Sequence, residues 1–485
     1  MAWGRPGIKG IFPGALIALT SAAPREALAA VTISSAASQN INCASGICTP
    51  TAKNAVLNVG DLENLLASGN VAVTSTGSGV QARDIRIKTA LGWSSNSTLV
   101  LDAYGSIAID DSVTVSGIAG LTLTTNDGVK DGVLSFQKKG HVMFANLSSN
   151  LTINGTAYTL ENSIVALASA IASNPSGAYA LAASYDASGD GTYTTVPIPT
   201  PLTGTFEGLD NAISHLSIEA ATETEVGLFA EVASDGTLRD IHVPHANISN
   251  TAGDSCAGPL AGTNFGLIIG ASASGTVSSE NSCAGGLVGS LAGFEGEGII
   301  MLSSGATKVS GLVAGGLVGS ATGGNLLQSF ATGKVSATEY AGGLVGEYSG
   351  GAIKNCYATG RAQVPRSDQA TVGGMAGLID EQAAVGSSYS SGDVKGGVGG
   401  PAWTKGGFVG AVSNAMFSNS YWDTDTSGIR NLHRGAGNVK DEAGIEGLTT
   451  VQLKSGLPSG FSPLIWGENA DVNDGFPYLL ANAPD

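Results

Sequence analysis

Residues 423–428 of this 485-residue chain carry carboxylate and hydroxyl groups spaced as in a calcium-binding loop. Side-chain oxygens stand at positions 1, 3 and 5 of the segment, on Asp423, Asp425 and Ser427, and a glycine stands at position 6. A calcium loop of this kind also needs a glutamate at position 12, where this chain has Arg434. An Asx turn, in which Asp423 accepts hydrogen bonds from nearby amides, explains the same residues. The sequence leaves open whether Asp423 and Asp425 bind calcium.

Motifs for catalysis are sparse. The five histidines include one close pair, His242 and His245, which a proline separates. The chain has no His-Glu-x-x-His motif, no phosphate-binding loop, and no Gly-x-Ser-x-Gly elbow with triad partners. We therefore expect surface histidines, no catalytic residues, no cofactor and no metal. A carboxylate pair could still serve a polysaccharide-cleaving enzyme, because the separation that such a pair needs cannot be read from a sequence.

Four tyrosines recur near a repeated sequence element, namely Tyr340, Tyr348, Tyr357 and Tyr389. They could stack along one exposed face and bind sugar rings. Alternatively, Tyr357 and Tyr389 form a packing ladder between neighbouring units, together with Phe330 at the same position of its repeat. The sequence does not decide between these two interpretations.

The repeats themselves indicate the fold. The pentapeptide Gly-Gly-Leu-Val-Gly occurs at 285–289, 315–319 and 342–346, with looser copies at 373–377 and 406–410. These copies begin 27 to 33 residues apart. A period near 30 residues indicates stacked units, and short runs of Val, Leu, Ile and Thr broken by glycine favour β units over helical ones. We predict one coil of a β-solenoid per repeat, with neighbouring coils about 4.8 Å apart.

The pentapeptide is expected to form a strand. Residues 285, 287 and 289 would then share one face, so that Leu287 points into a narrow core. The glycines would supply positive φ angles at the corners of each coil. At least seven coils are predicted between residues 205 and 435.

The predicted organisation has five parts: a signal peptide at 1–29, an irregular β-helical region at 31–157, a helical insertion with a proline-rich link at 158–204, the repeat β-helix at 205–435, and a C-terminal cap at 436–485. The first part has a basic start, an apolar stretch and the cleavage-site pattern Ala27-Leu28-Ala29. In the third part, Asn162 or Ser163 is expected to cap a helix that ends at Asn174. The last part would cover the strand edges of the final coil.

The repeat elements resemble GLUG repeats of large bacterial surface proteins. The resemblance rests on Gly-Gly-Leu-Val-Gly and on Tyr-Ala-Thr-Gly at 357–360. Residues 91–215 also look like the passenger regions of filamentous-haemagglutinin-type exoproteins. Together these resemblances imply a right-handed parallel β-helix, a secreted or surface-displayed product, and a role in adhesion. Such exoproteins open with a secretion domain for an outer-membrane transporter, of which residues 31–90 show no clear copy.

The cysteines test the coil geometry. Cys256 and Cys283 both occur in Ser-Cys-Ala-Gly and are 27 residues apart, close to one repeat period. On adjacent coils their Cα atoms would be about 4.8 Å apart, within the range of a disulfide. We expect a disulfide, although two stacked buried thiols are the alternative. Cys43 and Cys48 could close a local loop, which would leave Cys356 unpaired.

Composition excludes some functions. Lys and Arg total 22 against 39 Asp and Glu, which gives a net charge of −17 without a basic patch, so nucleic acid is excluded as a partner. No stretch reaches the roughly 18 apolar residues of a membrane-spanning helix. Glycine takes 71 positions, and 42% hydrophobic residues are enough for a core.

The predicted fold is therefore all-β, a right-handed parallel β-helix with a short helical insertion and a C-terminal cap. The predicted function is that of a secreted or cell-surface, adhesin-like exoprotein without catalytic activity. It would bind host or neighbour-cell ligands, glycan or protein, through its surface, and an outer-membrane transporter could export it. The alternatives are a β-helical enzyme acting on polysaccharide and a structural stalk.

Overall fold

The computed structural model describes residues 29–129, 131–137, 139–253, 255–293, 298–365, 370–396 and 404–484. Apart from Ala29, the predicted signal peptide at 1–29 lies outside the described residues. The described chain is a β-solenoid with three short α-helices, Val59–Ser68 (α1), Ile164–Ser173 (α2) and Thr450–Leu453 (α3), and two 3-10 turns, Ala187–Asp190 and Asn473–Gly475. Within it, no helix has the length and apolar character needed to cross a membrane.

The first stack of coils has three parallel sheets. The strands of the first sheet are, in order, Ala55–Asn58, Ala30–Ser34, Asp84–Ile87, Ile107–Ile109 and Leu134–Phe136. Those of the second sheet are Leu91–Trp93, Val113–Val115 and Val142–Phe144. Those of the third sheet are Ile47–Pro50, Val71–Thr74, Thr98–Asp102, Gly120–Thr124 and Asn150–Ile153. Antiparallel hairpins add Ile41–Ala44 to Ile47–Pro50 and join Thr76–Gly77 to Val80–Gln81. Alternate side chains, such as those of Val31 and Ile33, are fully buried in one apolar core.

Helix α1 was not among the elements predicted for the irregular β-helical region at 31–157. Asn58 caps the helix, and its side chain accepts hydrogen bonds from the amides of Gly60 and Asp61. Leu62 and Leu66, one turn apart, are buried in the first core. These short-range signals, a cap and an i,i+4 apolar pair, outweigh the surrounding strand pattern in this segment.

The two stacks meet at an antiparallel hairpin. Strand Asn150–Ile153 pairs antiparallel with Thr156–Glu161 across Asn154 and Gly155, which both have positive φ. This is the conformation of a two-residue type I′ turn, and it reverses the strand direction between the stacks. Helix α2 follows and begins at its cap Ser163.

The second stack has one strand per coil in a seven-stranded parallel sheet: Phe229–Val232, Ala261–Asn264, Val288–Ala292, Val318–Thr322, Val345–Ser349, Ala376–Asp380 and Val409–Val412. Its other strands are Ala178–Leu181, Tyr185–Asp186, Thr192–Tyr193, Thr205–Ser214, Ser217–Ala220, Glu225–Val226, Thr237–Asn250, Cys256–Ala257, Leu267–Ile269, Ser272–Gly285, Ile299–Met301, Ser304–Gly315, Asn325–Leu327, Phe330–Ala331, Val335–Gly342, Ala352–Lys354, Tyr357–Ala358, Ala362–Gln363, Thr371–Gly373, Ala384–Ser390, Val394–Lys395, Thr404–Gly406, Met416–Asp423 and Ile445–Leu448. Each repeat therefore makes one coil, as predicted.

The pentapeptide is a corner rather than a strand. Gly285 ends one strand and Val288 begins the next, so Gly286 and Leu287 make the turn between them. Leu287 is buried as expected, but Val288 is buried beside it. A Cβ on Gly286 would lie 1.9 Å from the carbonyl oxygen of Gly316 on the next coil. The repeat needs glycine here because backbones approach closely, and not for a positive φ.

The C-terminal tail does more than end the stack. Strand Ile445–Leu448 pairs with Met416–Asp423 and continues the last coil. The following residues, which include helix α3 and the hairpin of Trp466–Gly467 with Tyr478–Leu479, then pack along the outside of the second stack.

Candidate functional site

The repeated aromatic residues form a buried ladder. The rings of Phe330 and Tyr357 stack with centroids 4.7 Å apart, and those of Tyr357 and Tyr389 with centroids 5.3 Å apart. Trp466 of the tail packs against both tyrosines, and the Tyr389 hydroxyl donates to the carbonyl of Pro477. Burial raises the pKa of both tyrosine hydroxyls. The sugar-binding interpretation is wrong for this pair, which forms the packing ladder.

The other two tyrosines lie elsewhere. Tyr348 is buried in the core of the second stack, where its hydroxyl donates to the carbonyl of Gly324 at 2.8 Å. Tyr340 lies in strand Val335–Gly342 and is only half-buried. The four tyrosines therefore do not make one exposed stacking face.

Asp423 forms the Asx turn. Its Oδ1 accepts hydrogen bonds from the amides of Asp425 and Thr426 at 2.8 and 3.1 Å, and its Oδ2 accepts from the Thr450 hydroxyl at 2.6 Å. Asp425 accepts from the Thr450 amide at 3.0 Å, at the start of helix α3. Both carboxylates thus tie the last coil to the tail. Nowhere in the described chain do three His, Cys, Asp or Glu side chains group as metal ligands.

The structure places four cysteines in two disulfides. Cys256 and Cys283 stand on adjacent coils with Cα atoms 4.7 Å apart, and Cys43 and Cys48 face each other across a hairpin with Cα atoms 4.0 Å apart. Cys356 is free and fully buried, and burial raises the pKa of its thiol to about 12.

An open groove crosses five coils of the second stack. Its volume is ≈ 680 Å³. The floor is a ladder of outward residues at matching register positions, Ser310, Ser336, Gln363 and Lys395. The rim includes Glu280, Thr338 and Pro365. Five coils spaced about 4.8 Å apart make the groove about 19 Å long, and it runs parallel to the solenoid axis.

A carboxylate pair, in which Glu207 is buried and Asp240 is half-buried, lies where the two stacks meet. Burial raises the pKa of Asp240 well above its ordinary value, and the charge of Glu207 adds to this. Glu207 accepts a hydrogen bond from the Leu209 amide at 3.1 Å, and its Oε2 lies 3.6 Å from Nε of Arg239. Gly270, on the next coil, leaves the space that Asp240 fills, since a Cβ there would lie 2.3 Å from Asp240 Oδ1. Burial also raises the pKa of Glu207, so both carboxyl groups of the pair hold a proton to a higher pH than exposed carboxyl groups do.

The histidines are less isolated than expected. His242 Nε2 lies 2.9 Å from Oδ1 of Asp210, and its Nδ1 lies 2.7 Å from Oγ of Ser272. The three residues stand on successive coils, separated along the chain by 32 and 30 residues. His245 stacks on His215, with ring centroids 5.2 Å apart. Spacing by one repeat period is the signal that could have found these groups.

Fold and repeats define a parallel β-solenoid in which one coil matches a known motif. The family model described as the GLUG motif matches residues 337–363. Halomucin of Haloquadratum walsbyi (strain DSM 16790 / HBSQ001) is 38% identical over 87 residues, which make up 18% of this chain and 1% of that protein. The chain thus matches a very small share of this relative.

One solved structure is also similar. It is the crystal structure of a Bacteroides ovatus protein proposed to be an immunoglobulin A1 protease. It shares 18% identity with this chain at a TM-score of 0.38, covering 67% of this chain and 92% of that one. The filamentous-haemagglutinin-type resemblance of residues 91–215 stays a prediction.

Proposed function

We propose that this chain is an adhesin-like exoprotein that binds an extended ligand along the groove of its second stack. Three observations support an extracellular location. The sequence contains a signal-peptide pattern, one coil matches the GLUG motif, and four cysteines are paired in two disulfides. Disulfides persist in oxidising compartments and are rare in the cytosol. An outer-membrane transporter is the partner that such an export route would need.

The groove is the observation that carries the binding function. Ser310, Ser336 and Gln363 present hydroxyl and amide groups at successive coils. A linear polymer that lies along the axis would meet an equivalent polar group about every 4.8 Å. Of the described lining residues, only Glu280 and Lys395 carry a charge. A hydroxyl-rich glycan strand or an extended peptide fits this lining, and the groove serves binding without catalysis.

The polysaccharide-cleaving alternative needs carboxylates that reach a substrate. Glu207 and Asp240 do converge on adjacent coils, but the Glu207 side chain is only 2% exposed and is engaged by Arg239. A general acid or base must come within hydrogen-bond reach of the scissile bond. This buried pair therefore favours a structural role over glycoside cleavage.

Binding arrays test the proposal. The mature chain should bind a defined subset of glycans or matrix proteins. Ser336→Tyr, which fills the floor of the groove, should weaken that binding by about 10-fold or more, roughly 1.4 kcal/mol. Ser320→Tyr is the matched control, because Ser320 lies in the seven-stranded sheet, away from the groove. Binding that survives Ser336→Tyr would remove the groove from the proposal. No binding to any ligand would favour the structural stalk.

A further inference from the structure

Asp210, His242 and Ser272 form a continuous hydrogen-bonded chain across three coils. His242 presents opposite ring nitrogens to the two oxygens, at 2.9 Å from Asp210 Oδ1 and 2.7 Å from Ser272 Oγ. A neutral imidazole has one donor and one acceptor nitrogen. In this neutral form the carboxylate of Asp210 can only accept, so Nε2 is the nitrogen that donates to it, and Nδ1 is left to accept a proton from the hydroxyl of Ser272.

A local bulge brings Asp210 within hydrogen-bond distance of His242. The strand Thr205–Ser214 changes register between Glu207 and Asn211 against its neighbour, where Arg239 and Ile241 are the partners. Leu209 and Asp210 both take left-handed φ values, 56° and 62°. The regular coil is therefore interrupted where Asp210 turns towards His242. A bulge of this kind changes the direction of a side chain, and here it turns Asp210 out of the regular ladder.

The Leu209 side chain anchors the bulge. It is fully buried and packs in the core of the first stack, whereas its strand neighbours Phe206 and Ile213 pack in the second. The Asn211 side chain adds hydrogen bonds to the carbonyls of Val142 and Leu181 at 2.8 and 3.2 Å. The position of Asp210 is therefore fixed by its two chain neighbours, Leu209 and Asn211.

Asp210, His242 and Ser272 lie on an outer face of the solenoid that is open to solvent, which we call the side wall. The exposed fractions of the His242 and Asp210 side chains are 32% and 26%. The register position of Ser272 is taken by Ser304 on the next coil and by Phe330 on the one after. The tail covers the wall from that region onward, since Asn482 binds the carbonyl of Ser303 at 3.2 Å. Ser272 therefore lies next to the edge of the covered wall.

We propose that Ser272, His242 and Asp210 form a nucleophilic relay that hydrolyses carboxylic esters, a site separate from the binding groove. Ser272 Oγ bonds to the ester carbonyl carbon while its proton moves to Nδ1 of His242. That proton then passes to the alcohol oxygen as the carbon–oxygen ester bond breaks. Water cleaves the acyl-serine by the same route, releases the carboxylic acid and restores the Ser272 hydroxyl. Asp210 orients the ring and stabilises the imidazolium.

A fluorophosphonate probe tests the relay directly. The probe forms a phosphorus–oxygen bond with an activated serine and releases fluoride. Peptide mapping of the labelled, folded chain should find the probe on Ser272, and an aryl acetate should be hydrolysed. His242→Gln should slow labelling by about 100-fold or more, the usual contribution of a general base. Ser304→Ala is the control, because Ser304 has the same register position one coil further on.

The outcomes separate cleanly. The relay is supported if the probe labels Ser272, if His242→Gln slows this labelling, and if Ser304→Ala leaves it unchanged. Both variants must melt at the temperature of the parent. If His242→Gln does not fold, His242→Ala replaces it, and the mapping on the parent chain still shows which serine is labelled. Absence of label, label on another serine, or label on Ser272 that does not depend on His242 would each overturn the proposal. The groove's binding assay is unaffected by any of these results.

Discussion

Asn482 donates a hydrogen bond to the backbone carbonyl of Ser303, at 3.2 Å, although 179 residues separate the two along the chain. Between these points the tail is fixed at several coils. The Tyr421 hydroxyl donates to the carbonyl of Ser459, and the Trp466 indole donates to Asn355 at 3.2 Å. The tail therefore runs back along the stack and closes the aromatic ladder from solvent.

Trp466→Ala should release the tail from this wall. Trp466 is 1% exposed and packs against Tyr357, Tyr389 and Phe461. Removing a buried aromatic side chain costs about 3–5 kcal/mol. We expect a clearly lower melting temperature and rapid proteolysis within the tail. Leu464→Ala is the control: Leu464 is 37% exposed, so its truncation should cost no more than about 0.5 kcal/mol. Equal effects of the two substitutions would contradict the docked tail.

The two disulfides and the buried Cys356 determine how many thiols should react with an alkylating agent. The native chain should react with no alkylating agent, since Cys356 is buried and burial raises its pKa to about 12. The unfolded, unreduced chain should take up one equivalent. Neither Lys nor Arg lies between Cys256 and Cys283, so a glutamate-specific protease, which cuts after Glu280, is needed to separate them. The two fragments should stay joined until they are reduced.

Loss of the Cys256–Cys283 bond should also lower stability. Replacing both residues with serine opens a closed loop with a sequence separation of 27 residues, for which chain-entropy arguments give about 3–4 kcal/mol. Chemical denaturation measures this difference. Three reactive thiols in the unfolded, unreduced chain, instead of one, would show that the pair is not oxidised.

Much of the fold could be predicted because the coils repeat. A position that meets the same close backbone contact on every coil must keep the same residue type, and this makes the period visible at Gly286 and Gly316. The same reasoning placed Cys256 beside Cys283. The prediction that the pentapeptide forms a strand was wrong. Its glycines indicate that two backbones approach closely, but they do not show whether the backbone is extended or turns at that point.

The site formed by Asp210, His242 and Ser272 could be predicted only in part from the sequence. Asp210, His242 and Ser272 are spaced by about one period, so a search for chemically matched residues at that spacing would have found them. Their contact also depends on the bulge before Asn211, which shifts Asp210 out of register. A bulge changes side-chain direction without changing composition. The route of the tail was equally hidden, since apolar residues such as Trp466 show that a segment is buried but not where.

The pair of Glu207 and Asp240 predicts that stability falls as pH rises. The pKa of Asp240 is raised in the folded chain by burial and by the charge of Glu207, while Arg239 opposes the shift and Asp210 adds to it. The folded chain thus keeps a proton that the unfolded chain loses above about pH 4. The stabilising effect is complete below that pH and is lost as pH rises through the folded pKa.

Asp240→Asn should reduce this dependence, because an amide can donate to Glu207 without titrating, while the raised pKa of Glu207 still contributes. Its free energy of unfolding should fall less than that of the parent between about pH 4 and pH 8. Asp235→Asn, at an exposed position, should leave the pH profile unchanged. A parent and an Asp240→Asn variant with parallel pH profiles would contradict the raised pKa of Asp240.

Asp423 predicts a turn whose stability does not depend on calcium. Its carboxylate is fully buried and accepts from two backbone amides and from the Thr450 hydroxyl. Asp423→Ala leaves these donors without an acceptor and should cost about 3 kcal/mol, whereas Asp423→Asn keeps one oxygen and should cost less. Neither chelator nor added calcium should change the melting temperature of the parent, since the oxygens are already engaged. A calcium-dependent rise that Asp423→Ala abolishes would restore the metal-binding interpretation.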